Sequence, residues 1–491
     1  MPRKLFIYTL LIALLAGSVS CNKWLTVNPK NQTSEANQFN NEQGFIDVLW
    51  GTYQQLAAAD AYGLNQSFGL VDVLAQYYSG KTAISDYYGA AARYDYSATS
   101  AYNVQGAVEG IWKADYGAIA QVNYILKNID SHQEVFTGDN YARIKGEAYA
   151  IRAYLHFDLL RLFAAAPQQG ADATGIPYMT DFTVRPQNKS SVSQVIAQCI
   201  ADLNQAKSLL VNDKDIDKIA DNQGSTSNDL AGMYRQNHLN YWAVNAELAR
   251  VYLYNDQKDS ALYYARQVIN SQKFTLMAAA DIHNDPSTID ADLSFSSEHV
   301  FSLYASKGKA MADSYFKSST GSSADAVDLY STVSFLNTIY QTQSVGYSSD
   351  VRGLGAAKSL WNQISSTVVY SKKYWFDNAS NVREGLIPLI RISEMYYIAA
   401  ECSPLVSDGV AYLNVVRAAR LIPVLETDID AATLDQEIMK EYQKEFYAEG
   451  QLWFYYKRKN LLTISNLPEG NTISEANFVF PLPQDEIEFG L

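Results

Sequence analysis

Two groups of residues have the types and spacing to do chemistry. The first is a run of phenols, Tyr77, Tyr78, Tyr87, Tyr88, Tyr94, Tyr96 and Tyr102, interleaved with Asp86, Arg93 and Asp95. This stretch has no helical period. Sugars offer C–H faces to aromatic planes and hydroxyls to charged or amide groups, so the mixture suits a glycan. Tyr adds rigid apolar area with a polar tip at low entropy cost. The alternative is that these rings pack the loop onto the body of the protein. Tyr304 and Trp361, in a second irregular stretch, are further candidates. The second group is Glu441, Glu445 and Glu449, at i, i+4 and i+8 of one helix face. Paired carboxylates can hydrolyse glycosides, but carboxylates on one helix do not flank a substrate from two sides. This helix is rich in Phe, Tyr and Trp. Half buried, it needs its charges paired, with Arg152, Arg391 or Arg458 across packed helices.

Other motifs carry less. Gly80-Lys81-Thr82 resembles the end of a phosphate-binding loop, but Ala75 stands where the first glycine belongs and no strand–loop–helix context surrounds it. Asp213-Lys214-Asp215-Ile216-Asp217 opens like a calcium loop. Lys218 and Gly224 then occupy the positions of its glycine and its closing Glu, so a solvated inter-helix loop is the better reading. His132, His156, His238, His283 and His299 show no metal-ligand spacing, and no Gly-x-Ser-x-Gly elbow is present. No cofactor, metal or catalytic residue is expected.

The elements that must position these residues are helical. The chain has 491 residues, 48% of them apolar, which suffices for a large core and excludes a disordered chain. Its net charge of −14 argues against nucleic acid, because phosphate binding needs clustered Lys and Arg. An acidic, Tyr-rich, Lys-poor surface is better suited to neutral ligands. Helical patterns cover 44–59, 106–130, 139–164 and 191–210. In the third, Ile144, Ala148, Ile151, Leu155, Leu159 and Leu162 form one apolar stripe, and Pro167 follows its end. Residues 238–271 read as a helix–turn–helix unit. Leu248, Ala249, Tyr252, Ala261, Ala265 and Val268 fall near the small and aromatic positions of a tetratricopeptide repeat (TPR). One such unit cannot bury its own face, so 106–164 and the pair 383–402 with 408–421 are its expected neighbours. Residues 60–104 read as loop. Residues 272–380 read as mixed, with β-like pieces at 300–304 and 367–370 and a helix near 327–341. A last long helix is expected over 431–459, then an extended end over 477–491.

The amino terminus reads as an address label. Arg3 and Lys4 precede an apolar run, Leu5 to Ala16, and small residues lead to Cys21. A cysteine at that junction fits a bacterial lipobox, with Ser18 where Leu is usual. Residues 1–20 are expected to be removed, Cys21 to be acylated, and 21–41 to act as a tether. Loss of Arg3 and Lys4 takes the net charge from −14 to −16. Cys199 and Cys402 then remain, each in an apolar helical run. Two buried free thiols are expected, with one disulfide as the alternative.

Several motifs together carry a resemblance. These are Cys21-Asn22-Lys23-Trp24-Leu25-Thr26-Val27-Asn28-Pro29, then Gly146-Glu147-Ala148 through Arg152-Ala153-Tyr154 to Phe157-Asp158-Leu159, then Leu389-Ile390-Arg391-Ile392-Ser393-Glu394 through Glu401. Leu413-Asn414 with Arg417-Ala418, then Glu441 through Glu445, Glu449-Gly450 and Trp453-Phe454, and Phe480-Pro481-Leu482-Pro483 complete them. In this order the chain resembles the SusD/RagB family of outer-membrane nutrient-binding lipoproteins over almost its whole length. Leu452 and Tyr455 stand where that family usually has Arg and Asp. The resemblance implies a mainly α fold, a TPR-like helical-repeat scaffold with long irregular loops and a few short β-strands. Over 42–491, the scaffold would span 42–60, 106–271 and 383–459, and the ligand-facing variable regions 61–105 and 272–380. It further implies a non-enzymatic, lipid-anchored protein of the outer membrane, facing the cell exterior. Such a protein binds oligo- or polysaccharide and delivers it to a SusC-like TonB-dependent transporter. A TPR-type envelope scaffold with no small-ligand site is the alternative.

Overall fold

The computed structural model describes residues 35–79, 87–97, 104–215, 230–318 and 327–491. The signal segment, Cys21 and the motif around Trp24 lie outside them, as do Lys81, Asp86 and Tyr102. The long helices are α1 (Glu42–Leu56), α2 (Val104–Ile129), α3 (Asn140–Phe163), α4 (Val192–Leu209), α5 (Tyr241–Tyr254) and α6 (Lys258–Asn270). They continue with α7 (Gly308–Phe316), α8 (Ile392–Cys402), α9 (Val406–Ala419), α10 (Ala431–Glu445) and α11 (Gln451–Arg458). Side-chain caps set several starts. Asn41 Oδ1 accepts from the Gly44 N–H at 3.0 Å before α1, and Asp430 Oδ1 from the Thr433 N–H at 2.7 Å before α10. Ser191 and Gln194 form a reciprocal capping box at α4. The stripe read in α3 is real: all six of its residues are fully buried.

The helices stack in chain order. α1 lies on α2, α2 on α3, α3 on α4, α4 on α5, α5 on α6, α6 on α8, and α8 on α9. This is the helix-pair succession that a degenerate repeat requires. The small residues Ala249, Ala261 and Ala265 are fully buried between α5 and its neighbours, and Tyr252 stacks on Tyr264 with centroids 5.5 Å apart. Two short sheets interrupt the helices. β1 (His299–Tyr304) pairs antiparallel with β4 (Leu386–Arg391), and β2 (Trp361–Gln363) with β3 (Val369–Ser371).

Some expected elements differ. Residues 386–391, expected to begin a helix, form β4 instead, because every residue there is buried against β1. A continuous apolar run reads the same as buried strand or buried helix. The long helix expected over 431–459 is broken into α10 and α11. Ala448 and Gly450 adopt φ of +63° and +73°, and a side chain on residue 450 would meet the Gln66 carbonyl at 2.4 Å. The 60–104 stretch contains short helices at Leu70–Leu74 and Tyr87–Ala92, and Gln484–Phe489 is helical near the carboxyl end. Cys199 and Cys402 are free and buried, and burial pushes the Cys402 thiol up to about 12.

The break between α10 and α11 sits on a buried array of charges. Arg391 Nη1 lies 2.9 Å from Glu298 and 2.6 Å from Glu445, and its Nε 2.9 Å from Glu449. Arg420 Nη2 holds Glu298 at 2.8 Å and Glu445 at 2.6 Å. Arg352 reaches Asp350 at 2.8 Å, Glu441 at 2.9 Å and Glu445 at 2.7 Å. Arg417 bridges Glu437 and Glu441, Lys444 pairs with Glu441, and Lys373 with Glu449. Carboxylates and cations are equal in number here, so the array is neutral as a whole. Burial opposes the charge on Glu445, but the guanidinium groups of Arg420, Arg391 and Arg352 outweigh it and hold its carboxyl well below the usual range. Of the partners expected for these glutamates, Arg391 is present. Arg152 instead holds Asp202 at 2.7 Å, and Arg458 holds Glu401 at 2.7 Å. Glu445→Ala leaves three guanidinium groups short of a partner. It is expected to lower unfolding stability by about 3–5 kcal/mol in chemical denaturation, against less than about 0.5 kcal/mol for Glu109→Ala at the exposed Lys113 pair. Equal effects would show that the array does not stabilise the fold.

Candidate functional site

A cavity of about 590 Å³ opens where α1, the turn before α5, the end of β1 and the turn before β4 meet. Trp50, Tyr53 and Gln54 line it from α1, at the i, i+3 and i+4 positions that share a helix face. Tyr234, Asn237 and His238 come from the turn before α5, Tyr304 from the last residue of β1, and Asn381 and Glu384 from the turn before β4. Tyr304 is 49% exposed and Tyr234 40%. Tyr234 has φ +50° and ψ +41°, a left-handed conformation rare for an aromatic residue.

The floor beneath these groups is polar and tightly tied. Tyr53 Oη donates to Glu147 Oε2 at 2.7 Å and accepts from the Leu239 N–H at 2.9 Å. His238 Nδ1 lies 2.8 Å from Glu147 Oε2, and its ring meets Tyr53 edge-on with centroids 4.7 Å apart. Arg235 pairs with Glu147 and Asp213 and donates to the Ala231 carbonyl at 3.2 Å, which pins the turn to α3. Asp213, the first residue of the calcium-like run, is therefore committed to an arginine. Burial alone would raise the Glu147 carboxyl, but Arg235 and His238 outweigh it and hold it at about 2. Asn237 Oδ1 accepts from Ser302 Oγ at 3.1 Å, joining the turn to β1.

Above this floor, polar groups are left open to a ligand. Gln54 and Glu384 have no side-chain partner among the described residues, whereas Trp50 offers its half-buried ring and keeps Nε1 buried. Exposed aromatic faces beside open amide and carboxylate groups are the chemistry that holds a sugar. Among the described residues no group of three or more His, Cys, Asp or Glu side chains could hold a metal.

The tyrosine run lies elsewhere, and most of it is core. Tyr77, Tyr78, Tyr88 and Tyr94 are each at most 5% exposed. Tyr77 Oη donates to the Gln443 carbonyl at 2.9 Å, Tyr78 Oη to Phe68 at 2.7 Å and Tyr94 Oη to Leu74 at 3.0 Å. Tyr88 meets Tyr315 edge-on, and Tyr94 stacks on Trp453 at 5.7 Å. Tyr96 is half-buried against Phe480, its hydroxyl on the Asn477 carbonyl at 2.9 Å. Trp361 is buried too, with Nε1 donating to the Arg352 carbonyl at 2.7 Å. The expectation that these rings face a ligand is corrected. Tyr77, Tyr78, Tyr94 and Tyr96 pack their rings against the body of the protein and donate their hydroxyls to backbone carbonyls. Arg93 is half-buried, and Asp86 and the side chain of Tyr87 lie outside the described residues. Among the described residues, Tyr304 is the one candidate named from sequence that lines the cavity. Trp50, Gln54, Tyr234, Asn237 and Glu384 were missed, because Trp50 and Gln54 read as part of a core-facing helix and the others sit in turns without period.

A second groove of about 670 Å³ runs along α2 between the 177–187 segment and the carboxyl end, lined by Trp112, Tyr116, Met179, Val184 and Phe489. Phe182, Val184 and Phe489 are exposed at 44%, 102% and 69%.

Two family models match this chain. One, SusD-like_3, described as starch-binding associating with outer membrane, matches residues 23–253. The other, the SusD family model SusD_RagB, matches residues 215–478, more than half of the chain. The chain belongs to the SusD family. Solved structures agree in fold. A SusD superfamily protein from Bacteroides thetaiotaomicron is 21% identical with TM-score 0.70, over 91% of this chain and 98% of that one. A putative sugar binding protein from Bacteroides vulgatus is 20% identical with TM-score 0.68, over 92% and 97%. A SusD-like carbohydrate binding protein from the same organism is 19% identical with TM-score 0.68, over the same shares. No curated protein matches. Among the described residues of this SusD-family chain, no helix is long and apolar enough to cross a membrane.

Two outcomes follow for stability. Tyr94→Ala removes a core ring and should lower unfolding free energy by about 3–5 kcal/mol, whereas Tyr304→Ala, at the exposed cavity wall, should stay within about 1 kcal/mol. A reversed order would place the first ring at the surface. Glu147 has a folded pKa of about 2 against an ordinary 4.5. The unfolded chain therefore binds the extra proton, and the stabilisation from Glu147 is full above about pH 4.5 and lost as pH falls towards 2. Glu147→Gln cannot titrate, so the gap in melting temperature between wild type and this variant should narrow from about pH 5 to about pH 3. A pH-independent gap would contradict the assignment.

Proposed function

We propose that this SusD-family protein binds an oligo- or polysaccharide in the cleft bounded by Trp50, Tyr234 and Tyr304, without altering it chemically. The observation that carries this reading is the pairing of the exposed Tyr234 and Tyr304 rings with unpartnered Gln54 and Glu384 around one cavity of ligand size. The family model that names starch binding and outer-membrane association supports it, as do the sugar- and carbohydrate-binding names of similarly folded proteins. On this reading Cys21 carries a lipid anchor to the outer membrane, residues 21–41 form the tether, and 42–491 form the binding domain. The protein faces the cell exterior and passes its cargo to a SusC-like TonB-dependent transporter.

The α2 groove favours a second reading, an envelope scaffold for other proteins, because its exposed Val184 and Phe489 suit a protein partner. Isothermal titration against a panel of oligosaccharides separates the two. Heat is expected with at least one sugar. Trp50→Ala and Tyr304→Ala should weaken that sugar by about tenfold or more, since one stacked ring contributes roughly 1–3 kcal/mol, while melting temperature stays within a few degrees. No heat with any sugar would leave the scaffold reading standing.

A further inference from the structure

Building on the reading that this cleft holds a glycan, we propose that Glu384 makes it select sugars without acidic groups, so that uronate- and sulfate-bearing chains are refused. The argument is a charge inventory of the cleft. Among the described residues no Lys or Arg side chain lines it. The cations nearest in sequence to its lining are already committed. Arg235 is buried and paired with Glu147 and Asp213. Arg383 turns away from the cavity, its Nε donating to Ser296 Oγ at 3.1 Å and lying 3.5 Å from Asp292. His238 faces the cavity but has Nδ1 on Glu147. No lysine or arginine in the described lining is free to form an ion pair with an anionic ligand.

Glu384, by contrast, is an uncommitted carboxylate on a fixed backbone. Its N–H donates to the Asn381 carbonyl at 3.1 Å. Asn381 is itself held, with Oδ1 accepting from the Arg383 N–H at 2.9 Å and Nδ2 donating to the Ala291 carbonyl at 2.9 Å. Gly385, at φ +81°, then turns the chain into β4. A side chain at residue 385 would meet the Ala305 carbonyl at 2.5 Å and the Tyr304 ring at 3.4 Å. The turn therefore places Glu384 next to the exposed Tyr304 ring. A carboxylate can accept two hydroxyl protons from neighbouring positions of a sugar stacked on that ring. The same oxygens repel a sugar carboxylate or sulfate at that spot, and the chain's net charge of −14 adds a field of the same sign.

The test uses the full chain and titrates maltohexaose, xylohexaose and galactotetraose against tetragalacturonate and sulfated maltohexaose at low and high salt. Wild type is expected to bind at least one neutral sugar and to bind both acidic ones at least about tenfold more weakly, a gap that narrows with salt. Glu384→Gln should raise affinity for the acidic sugars and weaken the neutral ones, which lose a charge-assisted acceptor, so that the neutral-to-acidic ratio falls by about tenfold or more. Acidic sugars that bind wild type as tightly as neutral ones, or a neutral-to-acidic ratio unchanged by Glu384→Gln, would overturn this inference and leave the glycan reading intact. Sugar binding that is insensitive to Trp50→Ala, or absent for the whole panel, would instead remove the glycan site, and the selectivity with it.

Discussion

The fold is organised around a set of charges that cannot be left alone. A guanidinium or carboxylate moved from water into the interior loses several kcal/mol of hydration, and recovers it only through close, complete pairing. Arg391, Arg420, Arg352 and Arg417 are each paired closely with members of the set Glu298, Asp350, Glu437, Glu441, Glu445 and Glu449, with Arg420 Nη1 alone among the four guanidinium groups' atoms orphaned in the described residues. These residues come from the end of α9, from α10 and the turn after it, from the turn before β1, from the end of β4 and from the 350s loop. None of the segments can shift without stranding a charge. The array therefore locks the irregular half of the chain to the last helices of the stack.

The same constraint explains how the cleft is built. Two of its walls end on locked elements: β4 begins at Leu386 and finishes at Arg391, within the array, and β1 begins at His299 next to Glu298 and finishes at Tyr304. The third wall, the turn before α5, is held by a smaller array of the same kind, Arg235 with Glu147 and Asp213. Paired charges beneath leave Gln54, Tyr234, Tyr304 and Glu384 as the groups open to the cavity. A stacking site gains from such rigidity, because little side-chain freedom remains to be lost on binding.

The tyrosines show why composition misleads about sites. Tyr is amphipathic, so the same ring serves a ligand or a loop carbonyl equally well. In Tyr77, Tyr78, Tyr94 and Tyr96 the polar tip is satisfied by a backbone oxygen of the chain itself. Lack of helical period, which suggested an exposed loop, reflects instead a chain that folds in short turns while buried on nearly every side. Trp361 follows the same logic on β2.

Periodic burial was written in the sequence. The stripe of α3, the small residues of the α5–α6 unit and the residue at the start of α4, Ser191, each act through neighbours three or four positions away, so local order suffices to reveal them. The ordered motifs from Glu147 to Pro483 carried the family in the same way. The choice of strand or helix for 386–391, the break at Ala448 and Gly450, and the partners of Glu441 and Glu445 were set only in three dimensions. So was the cleft, whose walls come from residues 50, 234, 304 and 384. These depend on contacts between segments far apart in the chain, and a residue's own neighbours do not encode which distant charge or ring will meet it.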